Sequence, residues 1–184
     1  MNPVRLFTAI ELPEPLREQL ADVQLALRAL LGAPVAWTAP GNFHVTLQFL
    51  GEVQEADVPN LRRALLSVAI EPFTLHVAGV GTLPPRGPAA VITAELSGQT
   101  DVLERLVNAI QLATLPLGFT PERRTYHAHV TLARLRSPRR LRRELDAFPF
   151  RPLPPFLVAE FALFHSTLSA SGSHYQSLAR FALK

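Results

Sequence analysis

Two histidines, each followed two residues later by a threonine, are the residues of this chain best suited to chemistry. The tetrapeptide His-Val-Thr-Leu occurs at 44–47 and again at 129–132, an offset of 85 residues in a chain of 184. In an extended strand alternate side chains share a face. His44 and Thr46 therefore project together, with Asn42 and Gln48 on the same face by simple alternation. Phe43, Val45, Leu47 and Phe49 fall on the other. In the second copy Thr125, His127, His129, Thr131 and Ala133 share one face, and Tyr126, Ala128, Val130, Leu132 and Arg134 the other. An internal repeat of this kind points to two related lobes. Imidazole, with an ordinary pKa of about 6.5, takes or gives a proton near neutral pH. Two imidazoles on opposite sides of one cleft suit in-line displacement at phosphorus, one deprotonating the attacking oxygen and the other protonating the leaving oxygen. Hydroxyls of Thr46 and Thr131 would donate to the non-bridging oxygens. The scheme calls for no metal and no cofactor.

The remaining composition narrows the chemistry further. There are no cysteines, which excludes disulfides, thiolate nucleophiles and cysteine-ligated zinc. His127 and His129 form a His-x-His pair able to chelate zinc, but their strand offers no acidic third ligand. His127 is instead a candidate cleft residue, with Asn42 and Gln48, and with Tyr126, which could stack on a base there although a core role suits it better. His76, His165 and His174 read as structural or surface residues, Phe7 and Phe43 as core, and Trp37 as core with a face that could stack on a base. Of the 18 basic residues only Lys184 is lysine. Eight arginines crowd into 123–143: Arg123, Arg124, Arg134, Arg136, Arg139, Arg140, Arg142 and Arg143. Guanidinium forks suit phosphate, and the cluster favours a polyanionic partner. No apolar run approaches the roughly 18 residues that span a bilayer, and no signal peptide opens the chain. A cytoplasmic protein is expected.

These side chains need strands and helices to hold them. Strands are predicted at Val4–Leu12, Val35–Thr38, Asn42–Leu50, Phe73–Val80, Ala89–Leu96, Thr125–Leu135, Phe156–Leu168 and His174–Leu183. The last two form a terminal hairpin about the turn at 169–173. Helices are predicted from Pro13 to Gly32, with Leu16, Leu20, Val23, Leu27 and Leu31 on one face, then at Glu55–Ile70, Thr100–Leu115 and Pro138–Phe148. No low-complexity linker divides the chain. The expectation is one α+β domain over 1–184: two pseudo-symmetric lobes, each an antiparallel sheet covered by helices on its outer face, with a central V-shaped cleft.

Four blocks in order resemble one known family, the two-histidine (2H) phosphoesterases, and within it the RNA 2',3'-cyclic phosphodiesterases, also called 2'-5' RNA ligases. The blocks are Arg5 to Pro13, Trp37 to Val53, His129 to Arg134, and Leu163 to Phe181. The resemblance implies hydrolysis of RNA 2',3'-cyclic phosphate ends to 2'-phosphates, and ATP-independent 2'-5' ligation as a second activity. No phosphate-binding Gly-x-x-x-x-Gly-Lys loop is present. It implies His44 as general acid and His129 as general base, roles that near-symmetry allows to exchange, with Thr46, Thr131 and Arg134 on the phosphate. Arg134 matches the family's phosphate-binding arginine, although alternation places it opposite His129. Ala128 and Tyr126 stand where the family usually has Pro and Phe. The implied partners are RNA ends, tRNA halves among them, met by a monomer. The competing readings are a 2H enzyme for another cyclic nucleotide and a non-catalytic RNA-binding module.

Overall fold

A computed structural model describes residues 3–32, 35–121, 125–169 and 172–184. Nine strands and four α-helices occur among them. In chain order they are β1 (Pro3–Glu11), α1 (Glu14–Leu31), β2 (Val35–Trp37), β3 (His44–Gln54), α2 (Val58–Leu65), β4 (Phe73–Leu83), β5 (Ala89–Gly98), α3 (Thr100–Thr114), β6 (His129–Arg139), α4 (Arg142–Asp146), β7 (Phe156–Val158), β8 (Glu160–Ser169) and β9 (Gly172–Ala182).

The strands form one antiparallel sheet in the order β7-β4-β5-β6-β3-β1-β8-β9, with β2 added alongside β6. The order divides at its centre into two groups of four. Each group contains the same unit: β1-α1-β3 in one, β5-α3-β6 in the other. Register shows how far the likeness goes. Glu11 faces His44 and Ile10 faces Val45, just as Glu95 faces His129 and Ala94 faces Val130. The groups meet at β3 and β6 through the single pair Val45 and Val130. The α+β architecture of two related lobes about a cleft is therefore as expected. The two sheets, however, are halves of one, joined by a seam one residue pair wide.

Burial explains the layering. One main core contains Leu20 and Leu27 of α1, Leu61 and Leu65 of α2, Leu103, Leu106 and Ile110 of α3, and the inward residues of both lobes. Helix α1 begins with Pro15 in its first turn, where a missing N–H costs nothing, and ends at Gly32, whose φ of 63° suits glycine. Its buried stripe is Leu16, Leu20, Gln24, Leu27 and Leu31. Gln24 thus occupies the inward place expected for Val23.

Several boundaries differ from expectation. Pro40–Asn42 form a 3-10 turn, so β3 starts at His44. Helix α2 stops at Leu65, five residues before Ile70. Residues 125–128 lie outside β6, which instead runs on to Arg139 because its ladder with β5 continues to the Ala89–Arg139 pair. That ladder takes Pro138 and Arg139 from the expected basic helix, leaving α4 only five residues long. The strand expected at 156–168 is split at Ala159: Phe156–Val158 pair with β4 in one lobe, and Glu160 onward pairs with β9 in the other. The terminal hairpin is present, with residues 170–171 of its turn outside the described residues. Pro34, Arg123 and Arg124 lie outside them too.

Candidate active site

The seam builds the site. Val45 and Val130 are both fully buried on the core side of their pair. Their flanking residues must then project from the opposite face. Antiparallel pairing sets His44 across from Thr131 and Thr46 across from His129. All four are half-buried. The two His-x-Thr motifs therefore meet about a local two-fold axis through the valine pair. The histidines are diagonal neighbours, a relation that in a regular ladder spans about 7–8 Å.

Both rings are held by the same device. His44 Nδ1 donates to the carbonyl of Asn42 at 2.7 Å, and His129 Nδ1 donates to the carbonyl of His127 at 2.7 Å. A carbonyl only accepts, so Nδ1 carries hydrogen and Nε2 is left for proton transfer. The Thr46 hydroxyl lies 3.1 Å from His44 Nε2. Both histidines have their pKa pushed below the ordinary value. Burial is the main cause in each, and the cation of Arg134 adds to it. His129 further lowers His44, while His127 lowers His129; the two backbone hydrogen bonds act in the opposite sense.

Arg134 owes its place to a β-bulge. Thr93 pairs with Thr131 but Ile92 pairs with Ala133, leaving Leu132 without an opposite number. Leu132 and Ala133 both turn into the core, and Arg134 returns to the face of His129. Strict alternation put Arg134 on the wrong face, and the extra residue is the reason. The first copy has its bulge at the matching place: Ala9 pairs with Thr46 and Thr8 with Gln48, skipping Leu47. Gln48 therefore turns away from the cleft. It is buried, and its Oε1 accepts from the Thr114 hydroxyl of α3 at 3.0 Å. Phe49, expected in the core, is exposed on the cleft side, where its ring meets Phe7.

The other candidate residues divide between positioning and the cleft. Asn42 precedes β3 rather than lying on it. Its carbonyl orients His44, and its side chain donates to the Ser173 carbonyl at 2.7 Å, tying the site to the terminal hairpin. Tyr126 is pinned against the core rather than open to the cleft. Its hydroxyl donates to the Thr46 carbonyl at 2.9 Å, and burial pushes its pKa up. His127 is exposed beside His129. Trp37 packs on the core with Arg28 over its ring.

Three features escaped the sequence reading. His44 stands against an aromatic wall, with Phe7 at 5.1 Å and Tyr175 at 5.2 Å between ring centres, and Phe164 stacked behind Phe7. These rings line a groove of 240 Å³ with Asn42, Glu11 and Arg180. Phe7 belongs to this small cleft-side cluster, not to the main core. Second, buried Gln24 donates to the carbonyls of Thr38 and Leu132 at 2.8 and 2.9 Å, so it fastens the very bulge that turns Arg134 inward. A lone glutamine on a leucine stripe was its only signal. Third, the glutamates facing the two histidines are handled differently: Glu11 is ion-paired with Arg180 at 2.8 Å, whereas Glu95 is exposed. Among the described residues no three His, Asp or Glu side chains gather as metal ligands, and no helix is long and apolar enough to cross a membrane.

Comparison with known proteins follows the same division. The family model described as LigT like phosphoesterase matches two consecutive segments, 10–93 and 95–175, one for each His-x-Thr motif. A protein of Methanothermobacter thermautotrophicus named RNA 2',3'-cyclic phosphodiesterase is 28% identical over 98% of this chain and 99% of its own length. One of the same name from Thermus thermophilus is 30% identical, over 98% and 91%. One from Aeropyrum pernix is 33% identical over 60% of this chain and 62% of its own. Among solved structures, TT0787 of Thermus thermophilus superposes with a TM-score of 0.78 at 28% identity, covering 97% of both chains. Escherichia coli LigT complexed with 3'-AMP superposes with 0.75 at 30% identity, covering 99% of both.

Proposed function

The chain belongs to the LigT like phosphoesterase family, and from that premise we propose that it is an RNA 2',3'-cyclic phosphodiesterase working by acid–base catalysis between His44 and His129, without metal or cofactor. The observation that carries the reading is the Val45–Val130 pair, about which both His-x-Thr motifs face one another. The names of the relatives supply the substrate class.

The cyclic phosphate sits between the two imidazoles. Thr46, Thr131 and Arg134 donate to its non-bridging oxygens, where charge grows as the phosphorus becomes five-coordinate. Neutral His129 takes a proton through Nε2 from water as the water oxygen bonds to phosphorus. Protonated His44 gives its Nε2 proton to the 3'-oxygen as the bond from phosphorus to O3' breaks. The product is a 2'-phosphate with a free 3'-hydroxyl. The histidines end with their protonation states exchanged and reset through solvent. An RNA 5'-hydroxyl in place of water would give 2'-5' ligation without ATP. Residues 1–184 act as one two-lobed unit, a monomer in the cytoplasm, on RNA ends that include tRNA halves.

The test is incubation with a 2',3'-cyclic mononucleotide in excess EDTA. Conversion to the 2'-phosphate alone is expected. A 3'-phosphate product, or turnover that returns only with added metal, overturns the mechanism. Tight, salt-sensitive RNA binding with no turnover of any cyclic phosphate would leave a binding module instead.

A further inference from the structure

Beyond the bulge, the cleft-side positions of the two central strands diverge. On β3 Phe49 is the last such residue, because a second shift skips Leu50 and pairs Gly51 with core residue Leu6; on β6 Arg134 is followed by Leu135, which packs on the core, and then by exposed Arg136. Past the phosphate site β6 therefore carries a second guanidinium on the same face. Arg140 follows just beyond the strand's end. The Ala89–Arg139 pair brings the β4–β5 loop, with Arg86 at its tip, to that same end of the sheet. Arg86, Arg136 and Arg140 are all exposed, and among the described residues none has an ion-pair partner. Neighbouring arginines are already engaged. Arg139 donates to the Leu31 carbonyl at the C-terminal end of α1, and Arg142 pairs with Asp146.

We propose that Arg136, Arg140 and Arg86 form a track for the phosphodiester backbone of a single-stranded RNA, leading away from the reacting phosphate along β6. The inference rests on the activity proposed above and sharpens its substrate: an oligonucleotide end is preferred over a free cyclic mononucleotide, which meets only the reacting-phosphate site. Two residues along a strand advance about 6.6 Å, comparable to the step between successive phosphates of an extended chain. Arg134 and Arg136 thus suit consecutive phosphates. Guanidinium left unpaired and solvated meets a phosphate with little to give up. The track is one-sided, because the β3 arm offers the ring of Phe49 where β6 offers the cation of Arg134, and no cation follows it on that side of β3.

The experiment compares wild type with Arg136→Gln/Arg140→Gln, two residues outside the phosphate site, and with Arg142→Gln/Arg143→Gln on α4 as a charge-matched control. Each is assayed on a cyclic-phosphate-ended oligonucleotide and on a 2',3'-cyclic mononucleotide over a range of salt. The track variant is expected to raise the oligonucleotide KM about tenfold with kcat held. Mononucleotide kcat/KM should stay as in wild type. The salt dependence should flatten by about 1.4 in log–log slope, roughly 0.7 for each lost phosphate contact. Equal effects on both substrates, no effect on either, or the same effect from the α4 control overturns the track. Fluorescence anisotropy with an unreactive 3'-phosphate oligonucleotide separates the two proposals. Binding weakened in the track variant while wild type turns over no cyclic phosphate keeps the track and rejects the activity. Turnover with binding unchanged does the reverse.

Discussion

Strands β3 and β6 begin alike and end differently. Each opens with His-Val-Thr-Leu, anchors its histidine Nδ1 on a carbonyl two residues back, and bulges at the leucine. Three residues past the threonine they part, with Phe49 on one and Arg134 on the other. The first half surrounds its histidine with rings: Phe7, Phe164 and Tyr175. The second half supplies the cation. In the mechanism proposed above, symmetry serves the proton chemistry, which needs two equivalent groups facing one phosphorus, and asymmetry serves charge and recognition, which need opposite properties on opposite sides.

The largest expected effect tests the symmetric part. His44→Ala and His129→Ala should each lower kcat by about 10²–10⁴-fold, with circular dichroism unchanged. If one variant kept most of its activity, the halves would not be equivalent partners. Arg134→Gln tests the asymmetric part and should cost about 10²-fold in kcat/KM. Phe49→Ala should leave the chemical step intact.

Arg134→Gln also has a sign in pH. Burial and Arg134 depress both histidines, with His129 adding to the effect on His44 and His127 to that on His129, so protonated acid and neutral base coexist on the acid side of pH 6.5. The optimum of kcat/KM should lie there. Removing the cation favours the protonated forms and moves both limbs of the profile upward. A downward shift would mean that Arg134 does not face the rings.

Gln24→Leu probes what holds the difference in place. It removes the side-chain donor to the Thr38 and Leu132 carbonyls, the second of which keeps the Thr38 N–H, at a cost of about 0.5–1.5 kcal/mol for each bond, measurable by urea unfolding. Activity should fall further than stability alone explains, because the bulge aims Arg134. Thr46→Val and Thr131→Val should be smallest, each about tenfold in kcat.

Period-two alternation placed His44, Thr46, His129 and Thr131 on one face correctly, because both stretches are regular as far as Leu47 and Leu132. It failed just beyond them, for Gln48, Phe49 and Arg134. A bulge is a property of pairing between strands, and no pattern within one strand announces it. The same limit hid the seam, since the Val45–Val130 pair joins residues 85 apart. Gln24 was missed because its role depends on carbonyls of distant strands, and the core role read for Tyr126 holds although its bond to the Thr46 carbonyl was not legible. The α+β architecture was legible, since both lobes follow hydrophobic periodicity. The likeness of Glu11 to Glu95 was not, because the connection from Glu95 to His129 is one residue longer than that from Glu11 to His44, which makes the repeat 84 residues there.

The lone valine rung has an evolutionary corollary. Two separate copies of a half-chain, assembled as an exact dimer about that axis, would be bound to carry one residue type at both Phe49 and Arg134. Such an ancestor could offer two rings or two cations, never one of each. Fusing the copies into a single gene lifts that restriction while leaving the rung untouched, so each arm is free to drift toward a different portion of the same nucleotide.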